Sequence, residues 1–176
     1  MPELPAGWLN CGHRKYTGVY AVAYTDKFAF ENGTLTRRRV PGSRTVVVSS
    51  TKQGWRDTGL SLDKGQTATI THDSGTWTVD SRLPDRVGPQ GYSPEADAHI
   101  APGCKFDDSE PYGALLGAVG PSAASLGTPS AVTWNDGEGE FKAENAGKLF
   151  LRINDEDRCL GDNGGLITVK VTITNR

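Results

Sequence analysis

Residues 167–174 read ITVKVTIT, with Ile167, Val169, Val171 and Ile173 alternating with Thr168, Lys170, Thr172 and Thr174. A side-chain period of two places the four aliphatic residues on one face and the polar ones on the other, so this stretch is a half-buried strand. A strand with one apolar face needs a second layer to cover it. Shorter runs of the same kind recur at 45–50, 67–71, 76–79, 130–134 and 148–153, each bounded by Gly, Asp, Asn or Pro. Short strands punctuated by turns at that spacing specify an all-β fold, a β-sandwich. The apolar run 112–119 (YGALLGAV) is the one stretch that a helix could claim, but its two glycines and its length favour a strand buried on both faces.

The 176 residues suffice for one well-buried domain with at most a small extra module. Twenty-two Gly and 10 Pro are scattered without a period, as turns between strands require. The 19 basic and 21 acidic residues leave a formal charge of -2, so no global field draws in nucleic acid or an anionic membrane. Cys11, Cys104 and Cys159 are too widely spaced for a disulfide scaffold or a CxxC metal site, and they allow one bridge at most. Met1 is followed by PELP rather than by a basic and then an apolar stretch. The expectation is a soluble chain, cytoplasmic or released by a non-classical route, without membrane insertion.

Two further stretches stand apart. Residues 84–111 carry many Pro, Gly and Asp with little periodicity and read as a long surface loop of the kind that serves binding. Residues 1–43 form an N-terminal extension of unknown role, aromatic at first and then basic at Arg37, Arg38 and Arg39. There, 16–24 and 34–40 can pair as a β-hairpin across Glu31, Asn32 and Gly33.

Chemistry concentrates in residues 154–163, NDEDRCLGDN, where five side-chain oxygen donors plus Asn154 fall in ten residues between two expected strands. Such a loop can wrap Ca2+, which takes six to eight oxygen ligands in irregular geometry; Mg2+ demands an octahedron, and Zn2+ prefers nitrogen and sulfur. The EF-hand spacing is absent. Read from its residues alone, the loop is either a calcium site or a polar hairpin turn, since Asp, Asn and Gly are turn formers in any case.

Asn154-Asp155, six residues, then Asp162-Asn163 and an alternating strand resemble the metal loop of the galactophilic, calcium-dependent bacterial lectins of the Pseudomonas LecA type. WRDTG at 55–59, Gly75-Thr76-Trp77, VGPQG at 87–91 and YGALLGAVG at 112–120 match the same family in order, so the resemblance covers residues 44–176. It implies a β-sandwich of jelly-roll, galactose-binding-domain-like form, with one Ca2+ at its tip and two vicinal sugar hydroxyls completing the coordination. Asp155, Asp162 and Asn163 would then give side-chain oxygens, and Cys159 and Asp80, or a close neighbour of Asp80, would give backbone carbonyls. Asp155, Asn163 and Asp80 would also meet the sugar. Where the family holds the exocyclic hydroxymethyl with His and Gln, this chain offers Glu95, with His99 one residue out of register. The resemblance further implies galactose-containing glycans as partners, no catalysis, and assembly into homo-oligomers that gain avidity for clustered glycans.

Other constellations have plainer readings. Asp107, Asp108 and Glu110 resemble a glycosidase carboxylate pair but share one loop, whereas such pairs normally face each other across a cleft. Asn135-Asp136-Gly137-Glu138 imitates a calcium loop and is more simply a hairpin turn. Cys11 and His13 lack an orienting third group. Arg37 to Arg39 suit a solvated edge strand. Trp55 and Trp77 belong to the core, while Trp134 is open to burial or to sugar stacking. Three function classes therefore remain: a calcium lectin, a glycan-acting enzyme, and a β-sandwich whose calcium serves stability alone.

Overall fold

The computed structural model describes residues 26–31 and 34–39 as backbone, and residues 42–173 in full. The chain divides into two compact units, with the boundary between Pro41 and Gly42. In the first, β1 (Asp26–Glu31) pairs antiparallel with β2 (Thr34–Arg39), and Glu31 lies opposite Thr34. That register leaves Asn32-Gly33 between the strands, the dipeptide best suited to a two-residue hairpin connection. The strand paired with Thr34–Arg39 is thus Asp26–Glu31; the 16–24 partner expected from the sequence lies outside the described residues, as do Cys11 and His13.

The second unit is a sandwich of two antiparallel sheets. One sheet orders β4 (Arg56–Leu62), β10 (Gly147–Ile153), β6 (Leu115–Gly120) and β7 (Ser130–Ala131). The other orders β3 (Gly42–Ser49), β11 (Gly164–Ile173), β5 (Thr67–Thr78), β9 (Glu138–Lys142) and β8 (Thr133–Asn135). The all-β sandwich expected from the sequence is what forms. On β11, Ile167, Val169, Val171 and Ile173 are all buried, whereas Leu166 on the opposite face is 45% exposed. Val46 and Val48 on β3, Ile70 on β5, and Leu149, Leu151 and Ile153 on β10 close the core between the sheets. The strand expected at 112–119 forms over Leu115–Gly120 and is buried along its whole length; Tyr112 and Gly113 serve as the turn into it.

Two of the expected strands are one. Residues 67–71 and 76–78 belong to a continuous β5, with Val79 just past its end, and His72-Asp73-Ser74-Gly75, which reads as a break, is absorbed as a β-bulge: His72 faces Val169 and Ser74 faces Thr168, leaving Asp73 unpaired. Gly75 has φ +88°, and a Cβ there would sit 2.3 Å from the Leu166 carbonyl oxygen. The glycine thus marks close strand approach rather than a strand end. Asp136 (φ 49°) and Gly137 (φ 85°) make a tight two-residue turn between β8 and β9, so that stretch is a hairpin turn, as expected.

Residues 84–111 are tied to the sandwich by bridges from Val87 to Trp77 and from Gln90 to Ala114. They hold a single turn of helix, α1 (Pro94–Asp97), capped by Ser93, whose Oγ accepts from the Ala96 N–H. Trp77 is wholly buried and its Nε1 donates to the Gly113 carbonyl at 2.9 Å. Trp55 is half-buried, edge-on to Phe106 with ring centroids 5.7 Å apart. Among the described residues, no helix is long and apolar enough to cross a membrane.

Candidate functional site

The loop 154–163 joins β10 to β11, an inner strand of each sheet, so its ends are fixed by the core. Its oxygen donors do not act together. Asn154 is fully buried; its Nδ2 donates to the carbonyls of Asp107, Glu110 and Pro111, and its Oδ1 accepts from the Asp107 N–H at 2.8 Å. That amide therefore fastens the 107–111 segment, and its oxygen already serves that segment's backbone. Asp157 turns outward, accepting from the Gly54 N–H at 3.1 Å and from Arg152 at 3.0 Å. Glu156 pairs with Arg158. The crowd of six donors is divided by partners both local, Arg152 and Arg158, and distant, Gly54 and the 107–111 backbone.

Arg152 organises this division. It is a buried guanidinium on β10, beneath the loop, and donates to the carbonyls of Ile153 at 3.2 Å and Asp155 at 2.6 Å as well as to Asp157. Its charge lies 4.1 Å from the Phe106 ring centroid and 5.5 Å from that of Trp55. Two aromatic faces and three oxygens thus replace the water lost on burial.

What remains is a convergent set. Asp155 is 1% exposed, and its Oδ2 accepts from Asn163 Nδ2 at 2.8 Å. The second hydrogen of that amide goes to the Ser50 carbonyl at 3.0 Å. Both donors of Asn163 are therefore spent, and Asn163 can offer only its oxygen. Asp155 Oδ1 and Asn163 Oδ1 are buried without any hydrogen-bond partner. Two orphaned oxygens on hydrogen-bonded neighbours are costly unless something positive meets them. Burial, with the charge of Asp162 adding to it, pushes the Asp155 carboxyl up to about 6 against the hydrogen bond from Asn163. A lone buried carboxylate behaves in this way when its counter-charge is missing.

Asp155 opens into a cleft of about 410 Å³ that is also lined by Asp80, Cys159 and Asp162, and by Arg82, Arg158 and Tyr112. The structure thus brings four of the expected metal residues to one place, with Asn163 hydrogen-bonded behind Asp155. Asp80 reaches the cleft through a backbone tie between the Ser81 N–H and the Asp162 carbonyl at 2.6 Å. Its own carbonyl already accepts from Thr78 Oγ1 at 2.7 Å and the Leu83 N–H at 3.0 Å, so both lone pairs are engaged. Its carboxylate is clamped by Arg82, whose hydrogen bonds hold that carboxyl below its usual range. Glu95 and His99 are exposed, with His99 Nδ1 2.7 Å from the Glu95 carbonyl oxygen, and neither lines this cleft.

Cys159 is bonded to Cys104, fastening the loop to the 98–111 segment. The two sulfurs and the Asp155 carboxylate lie within 4.8 Å of one another. Joined to each other, the sulfurs offer no thiolate, which leaves oxygen as the donor type available here. Arg152, Ser50 and this bridge are the parts that sequence reasoning missed. A lone Arg within the apolar run LFLRI, next to an acidic loop, is the one signal that pointed to any of them. Asp107, meanwhile, accepts from the Ser109 N–H and hydroxyl, as residues that shape a loop do.

No protein-family model and no curated protein matches the chain. Among solved structures it resembles the N-terminal domain of EclA, described as a PllA-like lectin, with TM-score 0.52 and 20% identity. The match covers 74% of this chain and 96% of that one. At that identity the likeness shows the fold: a lectin-type β-sandwich.

Proposed function

We propose that this chain is a calcium-dependent, galactose-type lectin that binds glycans and catalyses nothing. The observation that carries the reading is the buried, unpartnered Asp155 Oδ1 on a residue that lines the cleft, together with the equally unpartnered Oδ1 of Asn163, whose amide is hydrogen-bonded to Asp155. Asp155 and Asn163 would hold Ca2+ from below and Asp162 from the rim, with the Cys159 carbonyl as a further oxygen; Asp80 stands beside them with its carbonyl already bonded. When bound, the ion supplies a dication that can accept two vicinal sugar hydroxyl oxygens in place of water. The protein's own part is orientation. Arg152 and Ser50 fix the loop from beneath, Asn163 presents oxygen alone, and Asp155 can accept a hydrogen bond from a sugar hydroxyl.

A second reading, calcium for stability without sugar affinity, draws on the same geometry, because Asn163 ties the loop to Ser50 beyond the end of β3. An array of glycans probed with and without chelator separates the two. Retention on galactosides that calcium restores, with no free sugar released, supports the lectin; retention of none, in a protein that calcium still stabilises, supports the second. The Cys104–Cys159 bridge belongs to oxidising surroundings, so of the two locations open at the outset we favour release from the cell.

A further inference from the structure

The cleft over Asp155 carries two guanidinium groups that the resemblance does not assign. Arg82, from the segment after β5, and Arg158, from the 154–163 loop, both line it. Their side chains are 81% and 70% exposed, yet neither swings freely. Arg82 Nε and Nη2 donate to the Asp80 carboxylate at 2.9 and 2.7 Å, and Nη2 stands 3.6 Å from Asp162. Arg158 Nε donates to Glu156, and its Nη2 donates to the Gly103 carbonyl at 2.6 Å. A guanidinium has five N–H groups, so the Nη1 of each keeps its donors without an acceptor among the described residues. The lining holds three carboxylates, Asp80, Asp155 and Asp162, against these two cations. Among these lining groups a bound divalent ion turns the balance from one net negative charge to one net positive charge; Glu156, which pairs with Arg158, lies outside the lining.

We propose that the cleft selects galactosides bearing an anionic substituent, a carboxylate or a sulfate, outside the metal-bound diol, and that Arg82 and Arg158 hold that anion. The inference rests on the sugar reading above and names its ligand class. Glu95 and His99, which the resemblance places around the neutral exocyclic group, stand outside the cleft; guanidiniums line it instead. Planar forked donors match planar or tetrahedral oxyanions better than they match a hydroxyl. Because Asp80 and Glu156 already orient both side chains, little rotamer freedom is lost when an anion arrives.

The test is titration calorimetry on the full chain in calcium buffer with methyl galactoside, methyl galacturonoside and the 6-sulfate of methyl galactoside. All three keep the vicinal diol. We expect at least one anion to bind about three- to tenfold tighter than the neutral sugar, the range that two exposed charge pairs supply, and we expect this advantage to shrink as salt rises. The carboxylate and sulfate arms show which anion is preferred. Arg82→Ala and Arg158→Ala should each move the ratio of acidic to neutral affinity towards one, whatever they do to absolute affinity. A calcium-induced rise in melting temperature confirms folding, and Arg→Gln at either position serves if the alanine variant does not fold. Equal or weaker binding of both anions overturns the inference, as does a ratio unchanged in both variants. Neutral galactoside binding without acidic preference leaves the lectin reading standing; calcium binding with no affinity for any of the three sugars removes both.

Discussion

Asn154 and Asp155 are neighbours with opposite duties. The first spends every hydrogen-bonding atom on backbone, while the second keeps one carboxylate oxygen bare in a buried place. Their strand context decides this, since successive side chains on leaving β10 point to opposite sides. A carboxyl raised to about 6 against 3.8 has a definite consequence for stability. Between those values the folded chain still holds a proton that the unfolded chain has released, so stability of the calcium-free protein falls as pH rises from about 4 to 6. Asp155→Asn should remove that fall, by on the order of 2 kcal/mol across the window, and should abolish calcium binding. Denaturant melts of both proteins in chelator check it; parallel pH profiles for the two would refute the assignment.

At the scale of elements, the loop is held by β10 from below and by the 98–111 segment from the side. Arg152→Leu keeps much of the bulk but leaves the Asp155 carbonyl and Asp157 without their donor. A loss of about 2 kcal/mol or more is expected, together with weaker calcium affinity because the loop loses its base. Chemical denaturation and a calcium titration read the two effects. Cys159→Ser should behave otherwise. It opens a bridge spanning 55 residues and should lower stability by about 2–4 kcal/mol, yet calcium binding should persist, because Asp155 and Asn163 keep their partners. The elements also show what could be read in the sequence. The terminal strand was plain, since four aliphatic residues at period two admit one reading. Two strands of the sandwich escaped: β4 and β9 carry RDTGLSL and EGEFK, whose inward residues, Thr58 and Gly139 among them, are too polar or too small to signal burial. Asp155, Asp162 and Asn163 were recognisable by type and spacing. The partners that sort them were not: Ser50 and Cys104 come from distant segments, and Arg152, only three residues before Asp155, shows in the sequence as no more than a charge in an apolar run.

For the whole molecule, a cation at the junction of β3, β10 and β11 would join both sheets at one end of the sandwich. Binding to the native state alone must then raise stability, by about 2.7 kcal/mol at a hundredfold excess over the dissociation constant. That corresponds to a melting temperature higher by about 5–10 °C in calcium than in chelator for a chain of this size. Scanning calorimetry in the two buffers shows it, and coincident transitions would count against the site. The central claim is narrower still: sugar is held through an ion that Asp155 and Asn163 grip. It is tested most directly by titrating methyl galactoside into the full chain in calcium, in chelator, and in calcium with Asp155→Ala. Binding in the first case and none in the other two is the outcome expected here, whereas sugar binding of equal strength in chelator, or by a folded Asp155→Ala protein, would contradict it.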